Sequence, residues 1–298
     1  MLNYLRKKIH TFLAFDNVAK KIIAYNRTEQ LNQLALSCDR QGITNEKYAQ
    51  ENIIVSLTTY GKRLNQVYLT IESLMQQTLK PNKIVLWLDT KLSDSRLPFL
   101  LEKQTERGLE IRFCDDIRSY KKLIPSLHEY PDDVIITVDD DVFYNLNMLE
   151  NLVSAYLKDN TYIYFNRGHR IRLLANNQAR RYRDWEWDIK SLDTSSLNFP
   201  TGVGGILYPP NSLSKEVLNQ DIFMNICPSA DDIWFKAMAL YNGTLCKKVE
   251  TFVENGSEYI ENNSVQFETL SQINNEQYQN DIQFKNVFER YNLYDKLK

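Results

Sequence analysis

IITVDDDVFY, residues 135–144, sets a run of β-favouring residues directly against three consecutive carboxylates, Asp139, Asp140 and Asp141. A short apolar run bounded by turn formers reads as a buried strand, here Val134 to Val138, entered through Pro131 and Asp132. Outward from it the pattern repeats. Ile53 to Leu57 has the same buried-strand character, a Thr-rich turn follows, and Leu64, Val67, Ile71, Leu74 and Met75 recur at helical spacing. Pro81 and Asn82 punctuate the chain before a second strand at Lys83 to Leu88. Leu109 to Phe113 is a third, and a helical segment at Lys122 to Glu129 leads into Val134. A helix begins near Leu146, and TYIYF, residues 161–165, is a further strand. Alternating strands and helices predict an α/β fold, Rossmann-related, with a mostly parallel central sheet covered on its faces. Asp89 and the three aspartates then fall at strand C-terminal ends, where open α/β sheets form their ligand crevice.

The chain has 298 residues, enough for one catalytic-sized domain with additions. Lys and Arg total 36 against 38 for Asp and Glu, so no global charge argues for nucleic acid. Cys38, Cys114, Cys227 and Cys246 are scattered without a CxxC pair, which gives neither a zinc ribbon nor a disulfide framework and suits a reducing cytoplasm. The N-terminal stretch has no apolar run long enough to cross a bilayer. It reads as an amphipathic helix, with Leu2, Leu5, Ile9 and Phe12 on one face and Arg6, Lys7, Lys8, Lys20 and Lys21 supplying charge. Two readings stay open for residues 1–25: packing on the main domain, or contact with an anionic membrane surface at the cytoplasmic face of the inner membrane. The expected organisation is a helical appendage and linker over 1–50, polar from 25 onward, a main domain over 51–250, and a C-terminal helical extension over 251–298. In that extension Phe284, Val287, Phe288 and Tyr291 recur at helical spacing and predict a packing face.

Like charges as close as Asp139, Asp140 and Asp141 need backbone donors, a basic side chain or a cation. Locally, a solvated or helix-capping turn competes with a metal-diphosphate site. Asp139 and Asp141, the alternating pair, suit Mg2+ or Mn2+, hard cations commonly held by one or two carboxylates with phosphates completing the shell. A second acidic doublet, Asp231 and Asp232 in CPSADDIWFKAMAL, stands at a helix start, where acidic residues are also ordinary. Upstream, NFPTGVGGILYPP places Gly202, Gly204 and Gly205 where backbone approaches closely. FNRGHRIRLL presents Arg167, His169, Arg170 and Arg172, of which arginines suit phosphate; His169 is a phosphate, metal or acceptor contact, or a structural histidine. Lys121 and Lys122 either reach a donor or cover a helix. Trp185 and Trp187, in YRDWEWD, either stack on sugar, pack in the core or wall a loop. No His/Cys spacing supports zinc and no Ser/His/Asp arrangement is specific.

Taken together, VSLTTYGKRL, TIESLMQQTLKPNKIVLWLD, KKLIPSLHEYPDDVIITVDDDVFY, FNRGHRI, TGVGGILYPP and CPSADDIW resemble a GT-A fold, family-2-like bacterial glycosyltransferase of capsule, lipopolysaccharide or related surface-glycan synthesis. The resemblance covers roughly residues 51–250. It implies a nucleotide-sugar donor, a UDP-sugar, transferred with inversion to a saccharide or lipid-linked glycan. Asp139 and Asp141 match the outer positions of the DxD signature, with Asp140 between them. Asp89 matches the acidic residue of the nucleotide-base pocket, and Thr58, Thr59 and Tyr60 the loop that approaches the nucleoside. Lys122, Arg167 and His169 are further donor-side candidates. ADDIW matches the general-base motif, with Asp232 the preferred base and Asp231 its alternative, Asp-Asp standing where many relatives have Glu-Asp. The late histidine that often completes the metal shell has no counterpart after His169. Alternative expectations are a retaining enzyme, a noncatalytic nucleotide-sugar or glycan-binding module, or a nucleotidyltransferase.

Overall fold

The computed structural model describes residues 2–251, 259–262 and 278–297, with side chains from residue 18 onward. In chain order, helix α1 (Leu2–Ser37) leads to β1 (Ile53–Thr58), α2 (Val67–Met75), β2 (Lys83–Asp89), α3 (Phe99–Thr105), β3 (Leu109–Cys114), α4 (Ile124–Glu129) and β4 (Val134–Thr137). The acidic turn connects β4 to a short strand, β5 (Val142–Tyr144), before α5 (Met148–Lys158), β6 (Ile163–Phe165), β7 (Gly168–Arg170), β8 (Asn198–Pro200) and β9 (Ile206–Tyr208). Then come α6 (Gln220–Ile226), α7 (Asp231–Asn242), β10 (Cys246–Lys248), β11 (Tyr259–Glu261) and a C-terminal helix, Gln279–Arg290.

Seven strands form the main sheet in the order β10-β6-β9-β4-β1-β2-β3. Pairings β1/β2, β2/β3, β1/β4 and β6/β10 are parallel, while β9 runs antiparallel to both its neighbours, β4 and β6. The sheet is mixed but mostly parallel, with helices on both faces, a Rossmann-related arrangement of GT-A type. The β9 reversal was invisible to a reading of strand-helix alternation, because β8, the glycine turn and β9 follow one another with no intervening helix. Chain order reverses between β1 and β4, which makes the gap beyond their C-terminal ends the topological switch point. Thr58–Tyr60 leave β1 there and Asp139–Asp141 leave β4 there.

Strand alternation fills both faces. Ile136, Ile53, Val55 and Leu57 join α2 and α5 residues on one side, whereas Ile135 faces the other, with Trp234, Phe235 and Met238 of α7. The C-terminal helix packs on this second cluster through Phe284, Val287 and Phe288. The packing face expected at its helical spacing is present, while the polar stretch 263–277 lies outside the described residues.

The stretch read as a polar linker from residue 25 is corrected in part: α1 continues to Ser37, with Leu31 and Ala35 fully buried. Even a polar residue there takes part in packing, since Asn32 Oδ1 accepts from Tyr68 Oη of α2 at 3.1 Å. The segment beyond is also tied down: Arg107 Nε donates to Arg40 O and Gly42 N to Arg107 O, each at 2.9 Å. Arg107 in turn forms a buried bidentate pair with Glu72 of α2, at 2.7 and 3.0 Å. The side chains of Leu2, Leu5, Ile9, Phe12, Arg6, Lys7 and Lys8 lie outside the described residues. Among the described residues no helix is long and apolar enough to cross a membrane. All four cysteines are free thiols.

Candidate active site

The acidic turn is a rigid piece of backbone. Tyr144 Oη accepts from Asp139 N at 2.9 Å, and Thr70 Oγ1 of α2 donates to the carbonyls of both Asp140 and Val142 at 2.9 Å. Strand β11 pairs with β5 beside it, and Asn262 N donates to Asp141 O at 2.9 Å. With the backbone held, the three carboxylates diverge. Asp140 is buried and accepts from Thr59 Oγ1 at 2.5 Å and from Arg63 at 2.8 Å. Arg63 also reaches Asp141 Oδ2 at 3.1 Å. Burial pushes the Asp141 carboxyl up to about 7, with Asp139 and Asp140 adding repulsion that Arg63 only partly offsets. Asp139 turns the other way, to Lys122 Nζ at 2.9 Å.

Lys122 joins the two acidic sites. It is buried, and the same ammonium lies 3.0 Å from Asp231 Oδ2. Burial alone pulls its pKa down, but Asp139, Asp231 and Asp232 outweigh that and hold it well above the usual lysine value. Asp231 is doubly tied, since Ser119 Oγ donates to its Oδ1 at 2.8 Å. Asp232 Oδ2 accepts from Gly202 N at 3.1 Å; its enclosed Oδ1 and Asp231 Oδ2 both lack a hydrogen-bond partner among the described residues, but Asp231 Oδ2 has the Lys122 ammonium at ion-pair distance and Asp232 Oδ1 does not. Burial pushes Asp232 up to about 7, opposed by Lys122 and reinforced by Asp231 and Asp139. Gly202 is what lets these groups meet. A Cβ there would lie 2.5 Å from Lys122 Nζ, 3.0 Å from Asp139 Oδ1 and 3.3 Å from Asp232 Oδ1.

All of these carboxylates line one open cavity of about 590 Å³ at the switch point, in the size range of small-molecule sites. Thr58, Thr59 and Tyr60 line it, as do Lys122, Arg167 and His169. Asp89 does not: its Oδ1 accepts from Lys91 N at 3.0 Å, capping the turn that ends β2. Lys121 is drawn off to Asp116 at 2.6 Å, so of the two adjacent lysines it is Lys122 that enters the acidic site. Arg167 is bound to Asp188 at 2.7 Å and to Thr201 Oγ1 at 3.0 Å. His169 is buried, and burial together with the Arg167 charge pushes its imidazole down to about 3, so it is neutral. Its Nδ1 accepts from Asp188 N at 3.2 Å. Arg170 and Arg172 stand outside the cavity, on Asn198 and Glu186.

Arg63, Ser119, Tyr182 and Tyr259 are cavity residues that the sequence did not single out, although Arg63 lies within VSLTTYGKRL and Tyr182 within YRDWEWD. A cation five residues after β1, in the GKRL turn, was a signal for Arg63 in hindsight; the others are unremarkable in sequence, and only packing brings them in.

The arrangement defines a class: a GT-A-like α/β protein whose switch-point cavity carries two acidic groups bridged by Lys122. No protein-family model and no curated protein matches the chain. Among solved structures, it is similar to a mannosyltransferase from Pyrobaculum calidifontis in complex with GDP-Man and Mn2+, at 13% identity and TM-score 0.33, over 51% of this chain. It spans 46% of that protein, less than half of its length. A CMP:2-keto-3-deoxy-manno-octonic acid synthetase complexed with CTP aligns at 10% identity and TM-score 0.41, over 78% of this chain and 100% of that one. HddC from Yersinia pseudotuberculosis aligns at 9% identity and TM-score 0.33, over 55% and 78%. At these levels the functional reading has to come from the residues.

Proposed function

We propose that this protein is an inverting glycosyltransferase that moves a sugar from a nucleotide-sugar, a UDP-sugar, to a saccharide or lipid-linked glycan acceptor in bacterial surface-polysaccharide synthesis. The observation that supports it is the unpartnered Oδ1 of Asp232, in the same cavity as the Asp139–Asp141 turn and coupled to it through Lys122. Asp232 is the base that takes the proton of the attacking acceptor hydroxyl, for which an ionisation near 7 is well placed. Asp231, held by Ser119 and Lys122, positions that neighbourhood rather than exchanging protons. Thr58, Thr59 and Tyr60 border the nucleoside end, and Arg63 orients Asp140 and Asp141.

The donor set suits a hard divalent cation. Its atoms are carboxylate oxygens, and at Asp141 burial is joined by repulsion from Asp139 and Asp140 that Arg63 only partly offsets, a crowding that a cation would relieve. Among the described residues no three His, Cys, Asp or Glu side chains converge on a metal-sized site. Asp139 and Asp141 would therefore hold Mg2+ or Mn2+ with phosphate oxygens completing the shell. When bound, the cation neutralises the diphosphate of the donor and of the departing nucleoside diphosphate.

A screen of nucleotide-sugars and glycan acceptors with Mg2+ or Mn2+, with the product's anomeric configuration read by NMR, tests the reaction. Retention of configuration, or donor binding without turnover on any acceptor, overturns it. Chelation with EDTA is expected to weaken UDP-sugar binding in calorimetry by about 100-fold, roughly the 2.7 kcal/mol of two decades, with recovery on adding Mn2+. Undiminished binding after chelation removes the cation from the proposal.

The proposal also includes membrane-surface contact through α1. Val18, Ile22 and Tyr25, at helical spacing, are all more than half exposed, with Lys20 and Lys21 between them. Co-sedimentation with phosphatidylserine vesicles is expected to fall at least fivefold when residues 1–25 are removed and to weaken as salt screens the charges. Equal recovery of both forms returns α1 to a packing role.

A further inference from the structure

Two motifs left unassigned by the acidic chemistry, FNRGHRI and YRDWEWD, form one wall of the cavity. Residues 186–189 run alongside β7: Arg170 and Glu186 exchange backbone hydrogen bonds at 2.8 and 3.0 Å, and Ile189 N donates to Gly168 O at 3.0 Å. This pairing separates the two tryptophans. Trp185 is turned into the core, against Phe199 and Phe284, with Nε1 donating to Arg180 O at 2.9 Å. Trp187 is turned out. It is 43% exposed and lines the cavity, whereas Trp87, Trp185 and Trp234 are all buried.

The exposed indole is held from behind. The His169 ring lies 4.4 Å from it and Tyr182 meets it edge-on at 5.5 Å. The next residue, Asp188, adopts φ +50° and is secured there by Arg167 and by its N–H to His169 Nδ1. Arg167 also grips Thr201, and the following Gly202 donates to Asp232. A short continuous chain of contacts thus fixes Trp187 relative to the Asp232 carboxylate, and it joins the β7–β8 side of the cavity rather than the β1 end where Thr58–Tyr60 emerge. A large aromatic face that lines the cavity beside charged groups, with its backing preorganised, has the character of a small-molecule site lining.

We propose that Trp187 is the acceptor platform: the apolar face of an acceptor pyranose ring stacks on its exposed indole, presenting a hydroxyl toward Asp232. His169 is then a positioning residue for Trp187, neutral and without contact to phosphate or metal. The proposal rests on the glycosyltransferase reading for its second partner, Asp232, but its binding half is testable alone.

The experiment uses the full-length protein and two readouts. In the first, intrinsic fluorescence is quenched with acrylamide, which reaches Trp187 because the other three tryptophans are buried. Methyl glycosides of glucose, galactose, mannose and N-acetylglucosamine are then titrated, with UDP as the competing probe. At least one glycoside is expected to protect the emission, and Trp187→Ala to abolish both the quenchable fraction and its protection. In the second, with the acceptor found by the screen above, Trp187→Ala is expected to raise acceptor KM about tenfold while donor KM stays within twofold. Trp187→Phe should restore most of the loss, and His169→Ala should reproduce the acceptor defect. Protection by UDP but by no glycoside assigns Trp187 to the nucleotide and overturns the proposal, as does protection by neither probe or an unchanged acceptor KM. Glycoside protection in a protein that transfers from no nucleotide-sugar upholds the platform and sinks the transferase reading instead.

Discussion

Replacing Asp232 by Asn is expected to lower kcat by about 10²–10⁴-fold, the usual contribution of a positioned general base, with donor affinity in calorimetry nearly unchanged. The amide keeps an acceptor oxygen for Gly202 N but has no site of proton affinity to offer the attacking hydroxyl. The pH profile carries the same expectation. Burial and the neighbouring aspartates raise the Asp232 carboxyl to about 7. A base must be ionised to act, so wild-type kcat should be full above that value and fall tenfold per unit as pH drops below it. With the cation saturating, which keeps Asp141 ionised, that acid limb should vanish in Asp232→Asn and leave a flat residual rate. Asp231→Asn is the counterpart: its oxygens face Ser119 and Lys122, so an acid limb should persist in it, moved to lower pH because one of the charges that raise Asp232 is gone. If Asp231→Asn abolished turnover while Asp232→Asn retained it, the assignment of the base would be reversed.

Lys122→Met should be the most damaging change to the site as a whole. Its ammonium is the shared partner of Asp139 and Asp231, and removing one member of a buried ion pair leaves its partners' charges uncompensated. Fully enclosed pairs cost about 3–5 kcal/mol when broken this way. Asp139 is about 30% exposed and water screens part of its charge, so about 2–3 kcal/mol is expected from the lower end of that range. The reading is the denaturant midpoint at unchanged slope. Adding Asp231→Asn should recover part of the loss, since it removes a carboxylate that no longer has a partner. Turnover should fall roughly 100-fold or more, as for the loss of one preorganised electrostatic contact. A stable Lys122→Met protein with wild-type turnover would show that the two acidic sites are independent.

Much of the sheet was legible beforehand. The predicted strands at Ile53, Lys83, Leu109, Val134 and within TYIYF are all present, and the helix at Asp231 starts where the acidic doublet stands. β-branched runs, Pro/Asn punctuation and helical spacing are local signals, and neighbours in sequence are enough to produce them. The placement of Asp139–Asp141 and Thr58–Tyr60 at strand ends followed from the same signals. Less was legible where local appearance and packing diverged. The stretch after residue 25 looked like linker because only one face of α1 is apolar there, yet Leu31 and Ala35 are buried. Asp89 ends a strand as expected, and what the sequence did not announce is that its carboxylate accepts from Lys91 N in the turn that follows.

Residue type and order were therefore enough to announce an α/β sheet with acidic groups at its crevice. They could not say which carboxylate is tied and which is free, or which tryptophan faces the cavity. Those roles depend on partners distant in the chain: Lys122 and Asp139 are 17 positions apart, Arg63 and Asp140 77, Ser119 and Asp231 112. A carboxylate's proton affinity is set by the charges and donors around it and by its distance from water. For Asp232 those surroundings exist only once β4, the Gly202 turn and the start of α7 have been folded against one another.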